Sequence, residues 1–390
     1  MKAYDADVIV LGGGLVGSAL ALALRHSAHE VILIEVREPQ LDWPVESWDQ
    51  RVYAISRASQ RLLAEIGAWE QLRPARSCPV SAMKIRGDGH SQLDFSALDS
   101  GVDALATILE NRELQRALWL ALGEAPNVRI ISGVQAQQLE ISPSAATLTL
   151  SDGQQLSARL IVGADGANSW LRQQAGIEVK TRPYGQAGVV ANFACEKPHY
   201  GVAQQWFRPD GILAFLPLPD QQMSMVWSCA DALRDELLQL DPAALVARVA
   251  QAGNMSLGPL QLITPAAAFP LRLNQPESIV RARVALIGDA AHTVHPLAGQ
   301  GVNLGFGDVQ ELAQLLQQTP AERLGDVLVL RRYERARREP VLLMQTVCDG
   351  LQRLFDTPHP LVKAMRNFGL AATDQLPWLK RQLIRHAMDS

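Results

Sequence analysis

Apolar positions change their period several times along the chain, and the changes mark its elements. Asp7 to Leu11 is a short β-branched run ending at Gly12, and Leu15 to Arg25 is an apolar, alanine-rich stretch of helical character. A second apolar run, Val31 to Val36, carries the acidic Glu35 near its end. Strand, tight turn, helix and strand make a βαβ unit with an expected right-handed crossover, so the chain opens as a doubly wound parallel sheet.

Pro and Trp between Leu41 and Glu46 predict a loop, and Gln60 to Leu72 resumes a helical pattern on Leu62, Leu63 and Ile66. Residues 76 to 98 read as strand-like or irregular, Asn111 to Leu122 as helix and Val128 to Ser132 as extended. Ala146 to Leu150 and Gln155 to Leu160 flank Ser151-Asp152-Gly153, a hairpin turn, after which Leu160 to Ala164 forms a buried strand. From Pro183 to Pro270 the texture becomes alternating and aromatic-rich, in the runs Val189 to Phe193, Ala203 to Phe207, Ile212 to Leu216 and Met223 to Trp227, with one helix from Pro242 to Gln251. This predicts a mainly antiparallel sheet inserted into the first domain. Val284 to Ile287 returns to parallel-type strand, and everything from Val302 onward is predominantly helical.

Length and composition narrow the picture only slightly. A chain of 390 residues can hold two or so domains and enclose a cofactor. With 48% hydrophobic and 19% charged residues it belongs with ordinary globular proteins, and a net charge of −4 lacks the basic footprint that nucleic-acid binding calls for. Cys78, Cys195, Cys229 and Cys348 are far apart and form no CxxC pair, which predicts buried free thiols in a reducing, cytoplasmic setting. The first apolar run is too short for a signal peptide, and no stretch of about 18 apolar residues predicts a membrane span.

Three loops carry the candidate chemistry. Gly12-Gly13-Gly14-Leu15-Val16-Gly17 is a G-x-G-x-x-G between strand and helix: Gly12 for the tight turn, Gly14 for approach to a pyrophosphate, Gly17 for close helix packing. Glu35, eighteen positions beyond Gly17, is placed to accept from an adenosine ribose. Far downstream, a buried strand delivers Asp289 to its C-terminal end, where a carboxylate can accept from a polyol such as flavin ribitol. Pro296 to Gly301, including Gly299, then forms a loop leading into a helix that begins near Val302 and Asn303; its converging N–H groups suit the negative charge of a reduced flavin. The third loop, Gly163-Ala-Asp165-Gly166-Ala-Asn-Ser169, again follows a strand; taken alone it reads as a helix N-cap, with Asp165 or Ser169 satisfying helix donors.

Together these loops, with Asp49-Gln-Arg51-Val-Tyr-Ala-Ile-Ser56, Glu110-Asn-Arg112 and Gly288 to Leu304, resemble the class A flavoprotein monooxygenases, relatives of para-hydroxybenzoate hydroxylase, and within them the ubiquinone-biosynthesis hydroxylases. The resemblance covers essentially the whole chain. It implies an α/β fold: a Rossmann-like FAD-binding domain made of residues 1–75, 100–182 and 271–340, an inserted substrate domain of 76–99 and 183–270, and a C-terminal helical region of 341–390. It places Arg51 near the flavin, Arg112 near the dinucleotide, and Asp165-Gly166 at both FAD and a transiently bound NAD(P)H. The stretches Gly211 to Pro217 and Leu379 to Arg385 look like the branch that hydroxylates a polyprenylphenol ring at C5, although sister enzymes acting at C1 or C6 share the flavin motifs. The implied reaction reduces FAD with NAD(P)H, forms a C4a-hydroperoxyflavin with O2 and passes one oxygen to the ring. No catalytic base is identifiable.

Other residues admit plain readings. His292 and His295 lack a completing Cys or Glu, so no metal is expected, and flavin-edge packing is the preferred role. Phe215, Leu216 and Pro217 are candidates for the substrate pocket or for ordinary core. Arg331, Arg332, Arg335, Arg337 and Arg338 form a solvated helix face with Glu334 and Glu339, or a contact for anionic lipid at the inner membrane face or for a biosynthetic assembly. A homo-oligomer is expected. The rival functions are hydroxylation of a small soluble phenol, a flavin reductase acting on a prenyl chain, and an idle scaffold.

Overall fold

The computed structural model describes residues 4–87, 91–293 and 301–356, without the side chains of 348–349 and 351–356. The opening run forms β1 (Ala6–Leu11), buried at every position but Asp7 because it lies mid-sheet with neighbours on both sides. β2 (Val31–Glu35) pairs with it in parallel on one side and Gln155–Gly163 on the other; Val128–Ser132 and Val284–Leu286 extend the parallel order outward. Helix α1 (Leu15–Ala23) joins β1 to β2, as its apolar period predicts.

The expected hairpin strand and the buried strand after it are one strand. Gln155–Gly163 starts as the antiparallel partner of Ala146–Leu150 and continues as the parallel partner of β1. No breaker lies between Gln155 and Gly163, and burial passes from alternating to continuous where the second parallel neighbour begins.

The inserted sheet runs in the order Leu260–Leu262, Val179–Cys195, Gln222–Ala230, Gly211–Leu218, Val202–Arg208, Ala82–Arg86, Gln92–Ser96, with Ala267–Pro276 also paired to the long second strand. It is antiparallel except where Val202–Arg208 meets Ala82–Arg86. Its strands thus reach from Val179 to Pro276, several residues past the expected 183–270 at each end. Strand alternation sends Phe193, Trp206, Phe215, Met225 and Trp227 to a rear core closed by Leu237, Leu245 and Val249 of the helices Asp231–Gln239 and Pro242–Ala252.

A small third sheet was not foreseen: β3 (Val52–Ile55), Thr107–Glu110 and Ser77–Pro79. Helix α2 (Arg57–Glu65) follows β3, capped by Ser56, and ends before Gly67, whose φ of +72° breaks the expected run to Leu72. Helix α3 (Asn111–Leu122) follows Thr107–Glu110 directly. Two longer helices, Gly301–Gln317 and Val327–Asp356, close the described chain.

Replacing Phe193, fully buried in the rear core, with Ala is expected to lower unfolding stability by about 3–5 kcal/mol. Denaturant unfolding of the flavin-free protein measures this.

Candidate cofactor and active site

The three loops meet at the C-terminal ends of adjacent parallel strands, where an open α/β sheet holds its ligands. Their backbones touch: Ala164 N–H donates to the Leu11 carbonyl at 2.7 Å, and Ile287 N–H to the Gly163 carbonyl at 2.9 Å. Gly12 has φ +102°, and a Cβ there would lie 2.4 Å from the Ala164 oxygen; one at Gly17 would lie 1.9 Å from the Gly12 oxygen. A Cβ at Gly305 would sit 2.7 Å from Val16 Cγ2, so the helix Gly301–Gln317 also packs directly on the first loop.

The first loop is open where a ligand must enter. Gly14 caps α1, exposed and with nothing near the place of a Cβ, while α1 has neither a side-chain cap nor an acidic residue in its first turn. Its free N–H groups therefore face outward as an anion site. The loop is held from behind by one carbonyl: Gly13 accepts from Ser18 Oγ at 2.9 Å, Gln115 Nε2 at 2.6 Å and Trp119 Nε1 at 2.9 Å. Glu35 accepts the Gly13 N–H at 2.6 Å through Oε2 and the Arg37 N–H at 3.0 Å through Oε1, each oxygen keeping a lone pair for a ribose hydroxyl. Gln115 and Trp119 were missed because only helix periodicity, not their polar ends, was legible.

In the third loop both expected caps are real. Ser169 Oγ accepts the Arg172 N–H at 3.0 Å and Asp165 Oδ2 the Leu171 N–H at 3.0 Å. Asp165 Oδ1, however, is buried with no hydrogen-bond partner, and Gly166 beside it is open at φ +82°. Arg172 ties this loop to the second, donating to the carbonyls of Ala290 at 2.9 Å and Ala167 at 2.8 Å.

The second loop rests on a buried carboxylate. Asp308 Oδ2 accepts from Gly288 N–H at 2.8 Å and His292 Nε2 at 2.7 Å, and Oδ1 from Arg337 Nε at 2.7 Å. Burial would raise the Asp308 carboxyl, but His292 and Arg337 outweigh it and hold the group below its ordinary value. This corrects two expectations. His292 is buried against Asp308 as a support of the turn, not packed at a flavin edge, and Arg337 is buried while Arg331, Arg332, Arg335 and Arg338 of the same helix face solvent. Glu334 accepts from Ser278 and Ile279.

Supported in this way, Asp289 projects from the turn, open to solvent yet walled by protein on most sides. Burial pushes its carboxyl up, against the influence of His292 and Arg51. Arg51 lies over the Phe269 ring at 4.6 Å, and its charge opposes the burial that pushes the nearby Tyr53 hydroxyl above its ordinary value. Asn303 is committed to β3, accepting from Ser56 N–H at 3.0 Å and donating to the Ala54 carbonyl at 2.8 Å. Val302 is buried in the main core; Gly301 opens the helix with nothing near the place of a Cβ; Pro296 and Gly299, like His295 and the tail from 357, lie outside the described residues.

At the other end, Arg112 lines a cavity of about 210 Å³ with Pro39, Gln40, Trp43, Asn111 and Gln115. Its guanidinium stacks on Trp43 at 4.6 Å, and Arg73 covers the same ring at 4.5 Å. Arg112 Nε donates to the buried Glu110 at 2.9 Å. On the inserted sheet, Phe215 sits in the rear core, edge-on to Trp206 at 4.8 Å, and so cannot line a pocket on the other face. Leu216 points forward to the cluster holding Trp48, Val52 and Ala54, and Pro217 is buried. Alternation distinguishes two faces but does not say which one meets the cofactor. Burial pushes Cys78 to about 11 and Cys195 and Cys229 to about 12, so these thiols stay protonated. Among the described residues no group of three His, Cys, Asp or Glu gathers as a metal site.

A bare helix N-terminus, an orphaned Asp165 oxygen and an unpartnered Asp289 carboxylate, strung along one line of loops, fit a dinucleotide carrying a polyol and a flavin ring. Comparison with known proteins agrees. The FAD binding domain family matches residues 5–345. Ubiquinone hydroxylase UbiL of Rhodospirillum rubrum is 36% identical over 387 residues, covering 98% of this chain and 89% of its own. The 3-demethoxyubiquinol 3-hydroxylase of Escherichia coli is 36% identical over 392 residues, covering 100% of both. Among solved structures, p-nitrophenol 4-monooxygenase from Pseudomonas putida superposes with a TM-score of 0.80 at 19% identity, covering 98% of each chain. The chain belongs to the FAD binding domain family and, within its class A flavoprotein monooxygenases, to the ubiquinone-biosynthesis hydroxylases. It is a flavin-dependent aromatic monooxygenase with the α/β fold of para-hydroxybenzoate hydroxylase.

A carboxyl raised in the folded state disfavours folding when ionised, a penalty absent below the unfolded value of about 3.9. Asp289→Asn is therefore expected to raise the melting temperature of the flavin-free protein at pH 7, with the gain shrinking toward pH 4, while weakening FAD binding. A gain independent of pH would refute this reading of Asp289.

Proposed function

We propose that this enzyme hydroxylates the ring of a polyprenylated phenol in ubiquinone biosynthesis, at C5, using FAD, NAD(P)H and O2. The observation that carries the reading is the full-length similarity to ubiquinone hydroxylases. Bound FAD would supply the redox chemistry, with two electrons from NAD(P)H, one oxygen of O2 passing to the ring and the other leaving as water.

The chain's own contribution is binding, orientation and exclusion of water. Gly14 and the N–H groups of α1 would hold the pyrophosphate, Glu35 the adenosine ribose, and Arg112 the phosphate side of the nucleotide. Asp165 and Asp289 would accept from ligand hydroxyls, and Arg51 would stand at the ring end with Tyr53. Gly301, with the backbone N–H groups of Val302 and Asn303 at the start of the same helix, would frame the flavin carbonyl side. Leu216, with Trp48 and Val52 beside it, offers an apolar wall for an electron-rich ring and helps keep water from it.

A second ring position has its own support. The Escherichia coli relative, named for hydroxylation at position 3 of demethoxyubiquinol, spans both chains completely. Among the described residues no helix is long and apolar enough to cross a membrane. Exposed Leu342, Leu343 and Val347 on the last described helix, which also carries exposed Arg331, Arg332, Arg335 and Arg338, support docking of the enzyme on an anionic membrane where a prenylated substrate resides.

The purified enzyme, given FAD, NADPH, isotopically labelled O2 and a prenylphenol unsubstituted at C5, is expected to yield a C5-hydroxylated ring bearing one labelled oxygen. Label at another carbon supports the second position. Reduction of the prenyl chain with no label in the product identifies a reductase and removes the hydroxylase reading.

A further inference from the structure

Arg51 and Arg112, proposed above for the ring end and the phosphate side of the nucleotide, hang from one carboxylate. Asp49 Oδ1 accepts the Arg51 N–H at 3.0 Å and Oδ2 the Arg112 N–H at 3.1 Å. The second bond caps α3 from a distant segment, since the local cap residue Glu110 makes no side-chain cap. Glu110 is fully buried and does other work: it accepts the Asp49 N–H at 2.7 Å, Arg76 at 3.0 Å and Arg112 Nε at 2.9 Å. The remaining polar atom of Asp49, its carbonyl, accepts from Asn192 Nδ2 at 2.8 Å.

Every polar group of Asp49 is thus committed, and its partners come from three separate units: the segment entering β3, the start of α3 and the inserted sheet. Such a residue cannot rotate without breaking several hydrogen bonds at once. Asn192 is fully buried on the sheet face opposite the rear core; its Oδ1 and the Oγ of its cross-strand neighbour Ser224 have no hydrogen-bond partner. Keeping an amide there with one atom unsatisfied is unfavourable, and the contact it secures is the one to Asp49.

We propose that Asp49 is the positioning residue that registers Arg51 and Arg112 from a single point, and that Asn192 links this register to the inserted sheet. The proposal rests on the FAD reading above. Asp49 would touch neither cofactor nor substrate. Its carboxylate acts through backbone N–H groups, so that the two guanidiniums keep a fixed separation along the bound nucleotide. A shift of the inserted sheet would pass through Asn192 to the same carbonyl.

The test measures the FAD dissociation constant, the absorption spectrum of bound flavin and flavin-free melting for wild type, Asp49→Asn and Asn192→Leu. Asp49→Asn preserves size but turns one acceptor into a donor facing an N–H. It is expected to raise the FAD dissociation constant about tenfold or more, and to alter the flavin band as Arg51 relaxes, with flavin-free melting within a few degrees of wild type. Asn192→Leu is expected to raise the constant about threefold and to raise KM for the aromatic substrate more than it lowers kcat. Wild-type FAD constants and spectra in both folded variants overturn the proposal. If Asp49→Asn fails to fold, Asn192→Leu decides by the same criterion. A wild-type protein that binds no FAD would instead defeat the cofactor reading itself.

Discussion

The distance between the Gly12 and Gly17 backbones leaves no space for a single carbon, and the site depends on that contact. With Gly17 lying on the Gly12 oxygen and Gly12 on Ala164, α1 is drawn down onto the ends of β1 and its neighbour strand. Only then do the helix N–H groups, Asp165 and the turn bearing Asp289 face a common line. A Cβ at either glycine would push the helix away and separate the phosphate site from the ring site.

Around this contact the fold adds polar fasteners, most of them aimed at backbone. Gln115, Trp119 and Ser18 converge on one carbonyl, Arg172 reaches two, and Asp308 holds the N–H of Gly288. At the loops themselves two carboxylates keep unused capacity: Asp165 Oδ1 is buried without a hydrogen-bond partner, and Asp289 projects from its turn. An active site whose chemistry comes from a cofactor calls for this division: rigid loops behind, unsatisfied acceptors in front.

Much of this was legible in the residues. The glycine loop and β1 were readable because their requirements are local, a φ above zero and a run of apolar residues. Four of the inserted strands were readable as short apolar and aromatic-rich runs, while Leu260–Leu262 and Ala267–Pro276 were not. Thr107–Glu110 and β3 were not, since each is four residues long and gains its identity only from a partner some fifty residues away. Arg337 looks like its basic neighbours, and only the burial of Asp308 sets it apart. His292 next to a glycine-rich loop suggested a ligand-facing role because its true partner sits on the far side of that loop in the chain. Phe215 and Leu216 show the remaining gap: adjacent residues have opposite fates, and nothing local names the face.

The account as a whole requires that one FAD occupy the line of loops from Glu35 through Gly14 and Asp165 to Asp289. Titrating the flavin-free, folded protein with FAD and following flavin fluorescence tests this most directly. Saturable quenching at one flavin per chain, with a yellow protein after removal of excess ligand, is the predicted result. A well-folded protein that stays colourless and leaves the fluorescence of added FAD unchanged would contradict it.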